Sequence, residues 1–327
     1  MSGCKVGIIS VGKYLPKKVL TNFDLEKMVD TSDEWITTRT GIKERRISEG
    51  ESASELAFKA SLQALERAGI SPQDLELIIV ATITPDTSFP STACHLQKHL
   101  KAEKAACFDI SAACAGYVYA LVVAQSLIGM GLYKNALVVG SEVLSTITDW
   151  QDRSTCVLFG DGAGACILAP VKKGGIISSY LGSDGSLGDL LILPAGGSKL
   201  PASFETIKKR LHYIKMEGRE LFKQAVKIMV DAALIALKRA NLNSKDVRWL
   251  IPHQANLRII NAVAQRLEIP PEKVYVNIHK YGNMSSASTA VALCEVWEEG
   301  KVKEGDIIVL DAFGGGLVWG ACVIEWI

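Results

Sequence analysis

Apolar residues along this chain follow two rhythms. Over Glu55–Gly69 (ELAFKASLQALERAG) they recur with a helical period, which puts Leu56, Ala60, Ala64, Leu65 and Ala68 on one face, and Ser52 precedes Glu55 in a capping-box pattern. A continuous apolar run, LIIVATI from Leu77, follows and predicts a buried strand. The same pair of elements returns later: Glu220–Asn241 carries a helical stripe, and the short run WLIP from Trp249 comes after it. ALERAGISPQDLELII from Ala64 aligns with ALKRANLNSKDVRWLI from Ala236 at a spacing of 172 residues (236 − 64), with Ala, Leu, Arg, Ala, Asp and the final Ile identical. Two more matches keep the same order: ALVVGSE from Ala136 with DIIVLDA from Asp306, and GACIL from Gly164 with GACVI from Gly320. Three matches in register predict internal duplication.

Continuous apolar strands separated by helices indicate an α/β protein of layered, buried, largely parallel sheets. Between the two halves, over residues 172–211, the Gly/Ser/Pro-rich stretch containing GSDGSLGDLLILPAGGSKLPAS reads as loops. The expected organisation is an N-terminal half, 1–171, and a C-terminal half, 172–327, packed as one body.

Composition narrows the function classes. A chain of 327 residues that is 48% hydrophobic buries a sizeable core, and a formal charge of +1 supplies no global attraction to nucleic acid or an anionic membrane. The apolar run in MSGCKVGIISVGKYLP is too short for a signal peptide, and no later run is long enough to span a bilayer, so the expectation is a soluble, cytoplasmic protein. Its eight cysteines are scattered without C-x-x-C pairs or zinc-like Cys/His spacing, which predicts reduced, mostly buried thiols and no metal.

One cysteine has a distinctive setting. Cys114, in CFDISAACAGYVYALVVAQSLI, lies where an apolar run ends in small residues and a helical stripe begins. A helix N-terminus favours a thiolate, which suits a nucleophile; the competing reading is a core cysteine chosen for size, with Ala112, Ala113, Ala115 and Gly116 serving close packing. His253, in IPHQANLRII, follows the second-half strand directly, and Asn283, in HKYGNMSSASTAVAL, occupies a Gly-Asn turn before a helix. Each has a structural alternative, a satisfied histidine or a turn residue. AFGGGLVWG, from Ala312, is either a tight strand connection or a backbone cleared of side chains so that an N–H faces an oxyanion.

DISAACAGYVYAL, PHQANLRI, YGNMSSAS and AFGGGLVWG resemble the motifs of the β-ketoacyl-acyl-carrier-protein synthase III family, as do SDEWITTRTGI and DRSTCVLFGDGAGA elsewhere in the chain. The resemblance implies a thiolase-like fold, internally duplicated with α/β/α/β/α layers, and a homodimeric enzyme that starts fatty-acid synthesis without a cofactor. It further implies that Cys114 takes a short acyl group, acetyl as the expected primer, from acyl-CoA, and that a malonyl group on acyl carrier protein then condenses with it. By the same resemblance His253 and Asn283 stabilise the enolate, and the backbone N–H groups of Cys114 and Gly315 form the oxyanion hole. Trp35, Arg39 and Arg153 correspond to the CoA site, Phe89 to a residue that closes the partner's acyl pocket, and Lys223, Arg258 and Arg266 to the carrier-protein docking face. Met284, Leu317 and Gln265 depart from common family residues, at positions that bear on specificity and docking. Other thiolase-superfamily acyltransferases, polyketide-type synthases and a non-catalytic acyl-CoA-binding scaffold are the alternative readings.

Overall fold

The computed structural model describes residues 4–327. The first periodic segment is a helix over Ala53–Ala68: the Ser52 hydroxyl accepts from Glu55 N–H, Ser52 N–H donates to the Glu55 carboxylate at 2.8 Å, and Gly69 ends it at φ +65°. Leu56, Ala60, Ala64 and Leu65 are buried and Ala68 half-buried, so the face with the apolar period is the face that packs.

That face covers a five-stranded sheet ordered Val6–Tyr14, Asp161–Pro170, Ala136–Val143, Leu77–Ala81, Ala106–Ile110. A four-stranded sheet runs Gly175–Ser183, Val318–Glu325, Ile307–Gly314, Val247–Pro252. Taken in those orders the sheets correspond strand for strand, and a parallel bridge between Leu250 and Val274 stands where the first sheet has its fifth strand. Each aligned pair of sequence segments falls on corresponding elements, GACIL on Asp161–Pro170 and GACVI on Val318–Glu325 for example.

Helices Gly116–Gly129 and Ser286–Glu298 lie between the sheets, where Val118, Leu121, Leu293 and Val296 join Ile79, Val138, Ile251 and Leu310 in one apolar cluster. Ala53–Ala68 and Thr92–Leu100 cover the outer side of the first sheet, and Gly218–Arg239 and Leu257–Arg266 that of the second. The result is the α/β/α/β/α layering of the thiolase fold.

Two expectations are corrected. The sheets are mixed rather than largely parallel: Leu77–Ala81 is parallel to both neighbours and Val247–Pro252 to Ile307–Gly314, while the remaining pairs are antiparallel. An unbroken apolar run reports burial on both faces and not strand direction, and five layers bury the antiparallel strands equally. Also, the stretch 172–211 is not all loop, because Gly175–Ser183 is an edge strand. Only its first two residues are buried, so its serines mask it. No helix of the described residues is long and apolar enough to cross a membrane.

Candidate active site

Cys114 sits in a short 3-10 turn, Ala113–Ala115, between strand Ala106–Ile110 and helix Gly116–Gly129. Ala113 holds φ +42°, a left-handed conformation costing about 1–3 kcal/mol that the surrounding packing must enforce. The small flanking residues are part of that packing. A β-carbon on Gly116 would lie 3.1 Å from Ala81 Cβ and 3.5 Å from Ser286 Cβ, so the starts of the two central helices face each other closely. From the other side comes the glycine turn after strand Ile307–Gly314: a β-carbon on Gly314 would lie 2.6 Å from Cys114 N and 3.0 Å from Cys114 Cβ.

His253 leaves the end of strand Val247–Pro252 with its N–H still bonded to Asp311 O at 2.7 Å. Gln254, fully buried, fixes the following loop. Its Nε2 donates to Pro252 O (2.8 Å) and Tyr275 O (3.1 Å), and its Oε1 accepts from Asn277 N (3.0 Å) and Ile278 N (3.2 Å). Burial pushes the imidazole of His253 down to about 3, so it is neutral at physiological pH and has one N–H to donate. Its Nδ1 meets no partner among the described residues.

Asn283 is held by its backbone, which donates to Leu158 O at 2.8 Å and accepts from Gly160 N at 3.0 Å. Its Oδ1 accepts from Ser285 N at 2.8 Å, which fixes the amide so that Nδ2 is the group left free to donate. The helix cap is Ser285, at φ +45°, and not Asn283.

These three residues converge on one cavity of about 640 Å³. Leu191, Met229 and Phe313 supply apolar wall, and Trp35, Arg39, Lys223 and Arg258 line the same space. Leu191 and Leu158 continue into an apolar cluster with Leu144, Phe159 and Ile214. The helix Asp33–Thr40, capped by Ser32, brings in Trp35 and Arg39, whose guanidinium lies 5.9 Å from the indole. Arg153 does not line the cavity but sits 4.8 Å over the Trp35 ring and 3.5 Å from Asp30. Arg258 opens helix Leu257–Arg266 and stacks 5.4 Å from Phe222; Arg266 is exposed at the other end of that helix, away from the cavity. Phe89 is 86% exposed and so is no part of this chain's core.

The electrostatics correct one expectation. Burial pushes the Cys114 thiol up to about 12; Ser285 opposes this in part, and the fully buried Glu142 carboxylate adds to the rise. Glu142 accepts from Thr84 Oγ1 (2.8 Å), Ser286 Oγ (3.0 Å), Ile83 N (3.1 Å) and Thr82 Oγ1 (3.2 Å). Desolvation and Glu142 together favour the protonated thiol over the thiolate. Among the glycines, Gly314 rather than Gly315 abuts Cys114 and lines the cavity, whereas a β-carbon on Gly315 would meet Leu191 O at 2.9 Å. Sequence reasoning missed Gly314, Ser285, Glu142 and the Leu144/Phe159/Ile214 cluster. Only Gly314 had a local signal, the glycine run itself. No group of metal-ligating side chains occurs among the described residues.

A duplicated five-layer frame with a cysteine at the start of a central helix is that of the thiolase-fold acyl-condensing enzymes. Family models for 3-oxoacyl-[acyl-carrier-protein] synthase III match residues 108–185, and for its C-terminal part residues 237–326. The beta-ketoacyl-[acyl-carrier-protein] synthase III of Caldanaerobacter subterraneus subsp. tengcongensis is 57% identical over 322 residues, covering 98% of this chain and 97% of its own. That of Clostridioides difficile is 56% identical over 323 residues, covering 98% of each chain. The crystal structure of 3-oxoacyl-[acyl-carrier-protein] synthase III from Aquifex aeolicus superposes with a TM-score of 0.91 at 52% identity, covering 98% of this chain and 100% of that one. The chain belongs to the beta-ketoacyl-[acyl-carrier-protein] synthase III family and is an acyltransferase of fatty-acid synthesis.

Proposed function

We propose that the chain condenses a short acyl group, acetyl by preference, from CoA with malonyl-acyl carrier protein, releasing CoA and CO₂ and leaving a 3-oxoacyl chain on the carrier. The observation that carries this reading is the single cavity in which Cys114, His253 and Asn283 meet. Cys114 sulfur bonds to the thioester carbonyl carbon, the bond from that carbon to CoA sulfur breaks, and the thiol proton leaves with CoA. The tetrahedral oxyanion forms beside the N–H groups of Cys114 and Gly315. In the second half-reaction the malonyl carboxylate leaves as CO₂, and the enolate oxygen takes N–H donation from neutral His253 and from Asn283 Nδ2. A neutral histidine stabilises this charge by donation without having to surrender a proton. The enolate carbon then bonds to the acyl carbon and Cys114 sulfur departs. These steps call for no metal or cofactor.

The nucleotide end of CoA lies, in this reading, against Trp35, Arg39 and Arg153, the indole and guanidinium planes offering a stacking site for adenine. Lys223 and Arg258 at the mouth, with Arg266 beyond, receive the acidic carrier protein. The exposed ring of Phe89 is read as crossing a homodimer interface to close the partner's acyl pocket. We place the junction of the two halves at 171/172 and the enzyme in the cytoplasm. The test is a separation of half-reactions. Cys114→Ser should take no acyl group from acyl-CoA, whereas His253→Ala and Asn283→Ala should acylate yet release no CO₂ from malonyl-carrier protein. Stable acylation of a different cysteine in the serine variant would overturn the assignment.

A further inference from the structure

Beside the cavity lies a buried cation that the condensation chemistry leaves without a role. Arg45, on strand Glu44–Ile47, is 0% exposed, and its guanidinium hydrogen-bonds only neutral oxygens. Nη1 donates to Asn22 Oδ1 (2.9 Å) and Leu20 O (3.2 Å), and Nη2 donates to Val157 O (2.7 Å). Nε has no partner. Burying a guanidinium without a bonded carboxylate costs several kcal/mol, so a side chain kept only to fill this volume would better be apolar.

The two arms of the fork lead to the two ends of the site. Asn22, also fully buried, passes the contact on: its Nδ2 donates to Ile42 O (2.8 Å) and to Asp33 Oδ1 (2.9 Å), and Asp33 opens the helix that carries Trp35 and Arg39. The other arm holds Val157, whose neighbour Leu158 accepts the backbone N–H of Asn283. The stem of Arg45 completes the support. A β-carbon on Gly160 would lie 3.0 Å from Arg45 Cβ, and one on Gly282 would lie 3.3 Å from it, so both strands of the Phe159–Asn283 bridge rest on this side chain. Gly282, at φ +65°, makes the turn that delivers Asn283.

We propose that Arg45 is a positioning residue for the Asn283 amide, its fork tying the segment that holds Asn283 to the helix that bears Trp35 and Arg39. The proposal rests on the reading that Asn283 Nδ2 donates to the enolate. Lysine cannot replace it, because one ammonium cannot span Asn22 and Val157 with the geometry of a planar fork. A shift of the amide by a fraction of an ångström weakens donation to the enolate but leaves Cys114, on another element, in place.

The experiment compares Arg45→Lys, Asn22→Ala and Asn283→Ala with the unaltered enzyme, at a temperature where melting curves show each folded. In Arg45→Lys the rate constant for CO₂ release from malonyl-carrier protein should fall about tenfold or more, with KM for that substrate and the rate constant of Cys114 acylation at saturating acyl-CoA within about twofold. Asn22→Ala should show the same split more weakly, and it decides the matter if Arg45→Lys does not fold. Equal losses in both half-reactions would mean that Arg45 only supports the fold, and unchanged CO₂ release would mean that it positions nothing; either result overturns the proposal. Full CO₂ release by Asn283→Ala would instead remove the reading of Asn283 on which the proposal stands.

Discussion

Gly314→Ala adds one methyl group at the point where the glycine turn touches Cys114. The new carbon would lie 2.6 Å from Cys114 N, 3.0 Å from Cys114 Cβ and 3.2 Å from Ala113 Cβ, where ordinary contact begins near 3.4 Å. The nearest atom is backbone, so no rotamer change relieves the clash; either the glycine turn or the cysteine turn must retreat by roughly 0.5–1 Å. Gly314 has no positive φ, so the β-carbon itself is the only source of strain. Displacements of that size cost about 100-fold in a positioned reaction, or ~2.7 kcal/mol of activation free energy. The assay is single-turnover acylation of Cys114 by acyl-CoA, followed by intact mass, with a melting curve to show that the protein is folded. Acylation at the unaltered rate would refute the reasoning, because it would mean that the turn yields without moving the nucleophile. Gly315→Ala is the internal comparison: its β-carbon presses on Leu191 O and the Leu191 side chain, so the acyl pocket rather than Cys114 takes the strain.

Because burial raises the Cys114 thiol to about 12, the thiolate forms only as pH climbs, and alkylation of Cys114 by a small uncharged reagent should increase steadily from pH 7 to pH 10. A plateau below pH 8 would show that the helix start holds a thiolate after all. Arg258→Glu should slow condensation with malonyl-carrier protein about tenfold while sparing acylation by acyl-CoA, and added salt should produce the same selective loss in the unaltered enzyme by screening. Equal loss in both half-reactions would mean that Arg258 serves the fold or the shared tunnel and not carrier docking.

The duplication was legible because apolar stripes recur in register, as in Ala64–Ile79 and Ala236–Ile251. Strand direction was not, since Val138 and Val139 are buried whichever way their neighbours run. The three central side chains could be found because each follows a strand or turn and precedes a helix, a pattern that sequence carries. Their ionisation was hidden: the rise at Cys114 comes from desolvation and from Glu142, which lies outside the cysteine motif. The apolar cluster of Leu144, Phe159 and Ile214 was equally invisible, because its members come from three separate stretches of chain and only packing joins them. Arg45 reads in sequence as one of two adjacent surface arginines, and only the fold shows that it points inward.

Ala113 and Ser285 are both non-glycine residues at positive φ, +42° and +45°, each just before a central helix, and they stand 172 residues apart, as do Ala64 and Ala236. The duplicated chain has thus kept one strained turn in two copies, with Cys114 following the first and Ser286 the second. In the first copy the next side chain is a thiol that lines the cavity; in the second it is a hydroxyl turned away to Ala81 O and Glu142. Two like frames within one chain need not present like groups, because each half can carry its own residue at the shared bend. What the halves share is the awkward bend, and asymmetry of chemistry is laid on symmetry of backbone.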